Sequence, residues 1–204
     1  MEYLFSQQEV IDVLIKKCMV NVFRNRKIVV LIGGCSRSGK STLANKLIES
    51  RNGKQTDSLV LSLDNWLKGI DERTPTDTVR ERYNYNKIVK DIKSILEGKQ
   101  TLIPKYDSFS RKTIYDGENI YFKGDFFIIE GTIALDIPEL RKISDLNIYV
   151  DIDDRLRTNR LKEFYINFKK LKPREANKII KSREKEETPL IKETRKYADY
   201  IFKV

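Results

Sequence analysis

Histidine is absent from all 204 residues. That removes Ser-His-Asp triads, histidine acid–base chemistry and histidine-held metals, and leaves Asp, Glu, Lys, Tyr or Cys as any general base. Cysteine is almost absent too. Cys18 and Cys35 are the two present, too few for a disulfide framework and, without histidine, unable to build a zinc site. Long apolar runs are missing: the longest, Ile28 to Ile32, is strand-sized, far below the roughly 18 residues that span a bilayer. The N-terminus carries Glu2 and Glu9 and no apolar run with a cleavage site, so no signal peptide is expected and the expected location is cytoplasmic.

What is present describes a soluble globular chain. Hydrophobic residues make up 40% and charged residues 34%, and the length suits a single domain over 1–204. The net charge is +10. From Asp151 onward 16 basic residues face 10 acidic ones, a surplus of 6 against 4 for the first 150 residues. A basic face of this kind attracts nucleotides as readily as nucleic acid. No nucleic-acid module or internal repeat is visible, so neither a nucleic-acid nor a membrane partner is expected; self-association stays open.

Periodicity alternates strands with helices. Residues 1–26 read as a helix on the spacing of Val10, Val13, Leu14, Lys17 and Cys18. Lys27–Gly33 reads as a buried strand, Lys40–Ser50 as a helix ending near Asn52-Gly53, and Leu59–Leu63 as a second strand. A polar loop over 69–82 precedes a helix from Asn86 to Glu97. The stretch from 101 to 123 alternates in character, with Asp116-Gly117 as its hairpin turn. Asp125–Glu130 is a third strand, Ile133–Lys142 a helix interrupted by Pro138, and Leu146–Val150 a fourth strand. Helices over 153–170, 173–187 and 190–197 and a short strand, Tyr200–Phe202, complete the chain. The expected fold is α/β: a P-loop nucleoside triphosphate hydrolase fold with about five parallel strands, helices on both faces and a small β-hairpin lobe. Functional loops then gather at the C-terminal strand ends.

Gly34-Cys-Ser-Arg-Ser-Gly-Lys-Ser41 matches G-x-x-x-x-G-K-[ST] without a mismatch, between a strand and a helix. Such a loop wraps phosphates with backbone N–H groups at a helix N-terminus. The nucleotide-binding set is therefore Gly34, Ser36, Ser38, Gly39, Lys40, Ser41 and Thr42. Lys40 supplies charge to the β- and γ-phosphates, and the Ser41 hydroxyl ligates Mg²⁺. Cys35 reads either as a reactive thiol or as a small residue that fits the loop. The expected cofactors are ATP and Mg²⁺. Asp64 follows the second strand, where a carboxylate beside the loop can accept a hydroxyl proton or sit near the metal; a turn residue is the plainer alternative. Glu130 ends the third strand, where an acid can hold Mg²⁺.

The order of these segments resembles the uridine kinase family, which also includes phosphoribulokinase and more distant pantothenate and nicotinamide riboside kinases. The resemblance runs from residue 27 onward. It rests on the loop, Ser62-Leu-Asp-Asn-Trp66, Tyr83-Asn-Tyr85, Leu96-Glu-Gly-Lys99, Ile103-Pro-Lys-Tyr-Asp107, Ile128 to Leu135, Val150-Asp-Ile-Asp153 and Lys196-Tyr-Ala-Asp199. It implies a kinase acting on a small alcohol, with Asp64 as catalytic carboxylate and Ser41, Glu130 and Asp64 near the metal. It implies acceptor contacts at Tyr106 and Asp107, and a lid over about 153–187 carrying Arg157 and Arg160 to the phosphates. Arg155 replaces one of the pair if the register is off by two. The same face of one helix holds both arginines, and two guanidiniums there can grip phosphate oxygens. Trp66, Tyr83, Tyr85, Tyr106 and Phe109 could stack on a planar acceptor or pack the core, and Arg111 lies nearby. Two departures fall on acceptor recognition. The histidine that the family places after Tyr-Asp is missing, and its ribose-binding acid aligns with Thr78, not Asp77. A nucleoside 5′-hydroxyl, another small alcohol, and a nucleotide-binding regulator without transfer activity therefore all stay in view.

Overall fold

The computed structural model describes residues 2–22, 27–50 and 58–204. Among the described residues six parallel strands form the central sheet: β1 (Glu2–Leu4), β2 (Ile28–Gly33), β3 (Ser58–Ser62), β6 (Phe126–Glu130), β7 (Leu146–Asp151) and β8 (Tyr200–Lys203), in the order β1-β8-β7-β2-β6-β3. Between β3 and β6 in the chain, β4 (Thr101–Asp107) and β5 (Lys112–Ile120) pair antiparallel as a separate hairpin.

β2 is buried along its whole length, and its alternation divides the core. Val29 and Leu31 face a cluster with Ile88, Ile92 and Ile95 of α3 (Tyr85–Leu96), Leu140 of α4 (Pro138–Ile143) and Ile191 of α6 (Pro173–Glu193). Ile28, Val30 and Ile32 face a second cluster with Val10 and Leu14 of α1 (Gln7–Val22) and Leu43, Ala44 and Leu47 of α2 (Lys40–Glu49). Parallel strands covered on both faces read as continuous apolar runs for this reason.

The sheet has six strands, not about five, because β1 lies inside the expected first helix. A three-residue strand shows no periodicity of its own, and its partner β8 is at the other end of the chain. The helix starts after it, at a capping box. Ser6 Oγ accepts from the Glu9 N–H at 3.2 Å, and the Glu9 carboxylate accepts from the Ser6 N–H at 2.8 Å. The expected helix end near 26, the side chains of Lys17 and Cys18, and the Asn52-Gly53 stop lie outside the described residues.

The hairpin turns at residues 108–111, not at Asp116-Gly117. Register shifts between Ile103 and Lys105, next to Pro104, which has no N–H to give the ladder. Gly117 occupies the resulting bulge; a Cβ there would stand 2.5 Å from Lys105 Cβ and 2.7 Å from its backbone N. The glycine signal therefore marked a bulge.

Three helix boundaries also differ. Residues 134–136 form a 3-10 turn and Pro138 opens α4 at its first position, where a missing N–H costs nothing. α5 (Asp154–Glu163) continues as a π-helical turn over Phe164–Phe168. α6 runs through Pro189 to Glu193, so the two expected helices there are one, followed by a 3-10 turn over Thr194–Tyr197. Leu161, Tyr165, Ala176 and Ile180 give the α5–α6 region a small core of its own.

Candidate nucleotide and acceptor site

The C-terminal ends of β2, β6 and β3 lie side by side in register: Ile32 pairs with Glu130, and Glu130 with Ser62. The phosphate loop leaves β2 at this edge. Gly34 takes φ +140°, and a Cβ there would meet the Val150 carbonyl at 2.6 Å, so only glycine lets the chain turn against β7. Arg37 also adopts positive φ at the loop's tip, and its guanidinium stacks 3.5 Å above the Phe164 ring. Lys40 is buried at the first turn of α2, with Nζ donating to the Cys35 carbonyl at 2.9 Å across the loop. Cys35 is buried, and its sulfur lies 3.8 Å from the Tyr149 hydroxyl. Burial pushes its thiol pKa up, which suits the small packed residue and not the reactive thiol.

Two carboxylates share this edge. Glu130 is buried and its Oε1 accepts from Ser41 Oγ at 3.2 Å. Burial raises its pKa; Lys40 opposes the rise and Asp64 adds to it. Asp64 stands in the 3-10 turn after β3, exposed to the same cavity. Tyr83 Oη donates to Asp64 Oδ1 at 3.4 Å and lies 3.4 Å from Thr132 Oγ1. Burial and then the Asp64 charge hold the Tyr83 phenol well above its ordinary pKa, so it remains a neutral donor. Among the described residues no group of three or more acidic or thiol side chains could cage a metal. Ser41 and Glu130 are hard oxygen donors, two in number, which fits Mg²⁺, an ion that keeps several waters and phosphate oxygens.

A cavity of about 1910 Å³ joins the loop, the hairpin tip and the α5–α6 region. Its wall includes Ser36, Gly39, Lys40, Ser41, Thr42, Asp64, Tyr83, Tyr106, Arg111, Glu130 and Arg160. Tyr106 Oη accepts from Arg73 Nη2 at 3.3 Å. Four residues singled out in the sequence stand elsewhere; Tyr85 donates its hydroxyl to Asp136 Oδ2 at 2.9 Å, outside the wall. Trp66 packs in the core, its Nε1 donating to buried Asp91 Oδ2 at 2.8 Å. Asp107 caps the hairpin turn, accepting from the Phe109 and Ser110 N–H groups at 2.8 and 3.0 Å. The Ser110 hydroxyl and these N–H groups lower its pKa to about 2. Arg157 is 2% exposed, between Asp154 at 3.8 Å and Glu184 at 3.7 Å, and is not part of the wall. The residue that caps the π-helical turn and two residues of α6 contribute groups that no motif marked, Lys169, Arg183 and Glu187. Their signal was only that they lie in the expected lid.

The model of the Phosphoribulokinase / Uridine kinase family matches residues 29–204. The chain belongs to this family. It is 32% identical over 146 residues to uridine-cytidine kinase A of Dictyostelium discoideum, a match covering 67% of this chain and 28% of that protein. It is 27% identical over 139 residues to the uridine kinase of Macrococcus caseolyticus, covering 65% of this chain and 66% of that one. The chain thus spans about a quarter of the first relative and just under two thirds of the second. Among solved structures, a fructose transport system kinase candidate from Silicibacter sp. TM1040 superposes with a TM-score of 0.77 at 16% identity, over 97% of this chain and 99% of that one. A uridine kinase candidate from Bacillus stearothermophilus gives 0.62 at 23%, over 96% and 98%. These last two likenesses establish the P-loop kinase fold. Among the described residues no helix is long and apolar enough to cross a membrane.

Proposed function

We propose that the chain is an ATP-dependent phosphotransferase that moves the γ-phosphate onto a hydroxyl of a small metabolite. The carrying observation is that the Gly34–Ser41 loop and the Asp64 carboxylate face one cavity. The loop's N–H groups, Lys40 and Arg160 hold and neutralise the phosphates. Ser41 and Glu130, with Asp64 nearby, would hold Mg²⁺, which would supply charge neutralisation at the phosphates. Asp64, oriented by the Tyr83 hydroxyl, aligns the attacking hydroxyl and takes its proton. Positioning and electrostatics carry most of such a reaction. The α5–α6 region forms a lid that excludes water, and the cytoplasm, with its ATP, is the proposed setting.

The first reading of the acceptor is a nucleoside 5′-hydroxyl, supported by relatives named uridine and uridine-cytidine kinases. A second has its own observation. Among the described residues the buried Lys169 ammonium has no hydrogen-bond partner; it stands among Phe109, Phe164 and Phe168 in the cavity wall. Burial lowers its pKa, with Asp107 opposing and Arg111 and Arg37 adding to the drop. Three clustered cations suit an alcohol that carries its own anionic group.

ADP release measured against nucleosides, vitamins and sugar phosphates separates the two. One class raises turnover, and Asp64→Asn lowers that turnover by about 10²–10⁴-fold, the range for general-base loss, with ATP affinity retained. If ATP binds and no acceptor raises turnover, the chain is a nucleotide-binding regulator and the proposal is wrong.

A further inference from the structure

Phosphoryl transfer between anions needs cationic groups on more than one side of the moving charge. The sequence offered Arg157 and Arg160, three residues apart on α5. Packing separates them. Arg160 lines the cavity, with Nη1 3.4 Å from the Arg37 carbonyl. Arg157 is turned into the α5–α6 interface against Asp154 and Glu184.

A second guanidinium reaches the phosphate loop from the other lid helix. Arg183 of α6 donates from Nη1 to Ser36 Oγ at 2.8 Å. Ser36 Oγ in turn donates to Glu187 Oε1 at 3.0 Å, and Glu187 stands 3.5 Å from Arg183 Nη1, one helical turn along α6. The Arg183 side chain is 34% exposed, and the Glu187 side chain 13%. Among the described residues Arg183 makes no other side-chain hydrogen bond, so Nε and Nη2 remain as free donors. Glu187 first, then Tyr165, Tyr83 and Asp64, act to raise its pKa against burial. Arg183 is thus a permanently charged fork bonded to a phosphate-loop hydroxyl, in the wall of the cavity that Tyr83 and Asp64 also line.

We propose that Arg183, held by Glu187, is the lid group that grips the transferring phosphoryl group, and that Arg157 only packs the lid. The assignment rests on the phosphotransferase reading. A guanidinium binds phosphate oxygens in a bidentate way that a lysine ammonium does not reproduce, and it keeps its proton throughout. Ser36 and Glu187 preset its orientation, which limits the reorganisation needed when phosphate arrives. α6 is thereby tied to the nucleotide loop by a contact that a phosphoryl group can share.

The test uses the full chain with MgADP, alone and with aluminium fluoride, which mimics the planar transferring phosphoryl group. Calorimetry reads both affinities. Wild type binds ADP, and more tightly with the fluoride. Arg183→Ala loses about 10- to 100-fold of the fluoride complex's affinity, the scale of a charge-assisted hydrogen bond, and keeps the affinity for ADP alone within about 2-fold. Arg183→Lys, which keeps the charge and most of the packing, recovers only part, and Glu187→Gln shows a smaller loss. Arg157→Lys leaves both affinities as in wild type. Equal fluoride affinity in wild type and Arg183→Lys or Arg183→Ala overturns the assignment. So does a parallel loss of ADP affinity, which marks a merely structural strut. Failure of wild type to bind ADP instead overturns the underlying phosphotransferase reading.

Discussion

Replacing Trp66 with Phe separates a structural aromatic from an acceptor-stacking one. The chain's single tryptophan is buried, and its indole N–H donates to Asp91 Oδ2 at 2.8 Å. Asp91 is itself buried, and its remaining partner at that oxygen is Lys87 Nζ, at 2.8 Å. Phenylalanine removes the donor, and a hydrogen bond to a charged group contributes about 1.5–3 kcal/mol. Retention of the Lys87 partner places the loss near the lower end. The smaller ring also leaves space in a close-packed core, adding roughly 1–2 kcal/mol. A total of about 3 kcal/mol corresponds to a fall in Tm of about 6–12 °C for a domain of this size. Thermal melts followed by circular dichroism read the fall, and steady-state kinetics on the folded variant read the acceptor. Stability drops and the acceptor KM stays unchanged. An unaltered Tm with a KM raised several-fold would place the indole in the acceptor wall and refute the reasoning.

Glu130 has a raised pKa in the folded chain because burial disfavours its charge, so the folded state holds the proton more tightly than the unfolded one. Its contribution to stability is therefore present below the unfolded value near 4.5 and is lost as pH rises through the folded pKa. Glu130→Gln accordingly raises Tm at neutral pH by about 2–4 °C while abolishing Mg²⁺-dependent activity; a lowered Tm contradicts this. Asp107 behaves oppositely. Its pKa of about 2 against 3.8 means that the hairpin-tip contacts persist at neutral pH and fail only as acid approaches 2. The amide proton shifts of Phe109 and Ser110 should titrate there by NMR, and a midpoint near 4 would remove Asp107 from the turn.

The phosphate loop was legible in the sequence because its chemistry is local: two glycines, a lysine and a serine at fixed spacing between a strand and a helix. Glu130 and Asp64 were legible for a related reason, since each directly follows a buried apolar run whose end must lie at the sheet's edge. What failed was what depends on rotation or distance. Spacing put Arg157 and Arg160 on one face of α5, yet it does not say how that face is turned, and tertiary packing gave one arginine to the cavity and the other to α6. Arg183 stands in a polar helix where many cations look alike, and only the fold brings it to Ser36. Trp66 sits two residues after Asp64, close in sequence to the site, but the 3-10 turn sends the two side chains to opposite sides. β1 needed knowledge of β8. Asp116-Gly117 is a strong hairpin signal, and here it was answered by a bulge opposite Pro104.

The division between what was legible and what was not follows the division of labour in the molecule. The proposed phosphate end is built at the edge of three strands in register, β2, β6 and β3: Glu130 ends β6, Ser41 bonds it from α2, and Asp64 follows β3. The proposed acceptor end is built on the hairpin tip and on α5–α6, whose small separate core has Leu161, Tyr165, Ala176 and Ile180. The hairpin tip meets the lid through Phe109 on Phe168, and the lid meets the phosphate loop through Phe164 under Arg37. On the proposed reading, substitutions at the hairpin tip can then change which alcohol is received without shifting Ser41, Glu130 or Asp64. The two expected departures from the family pattern, the missing histidine after Asp107 and the threonine at 78, fall in the hairpin turn and in the loop before α3 and not in a strand of the sheet. On the proposed reading the phosphate loop argues for the reaction, while the acceptor, received by the lobes, must be found by assay.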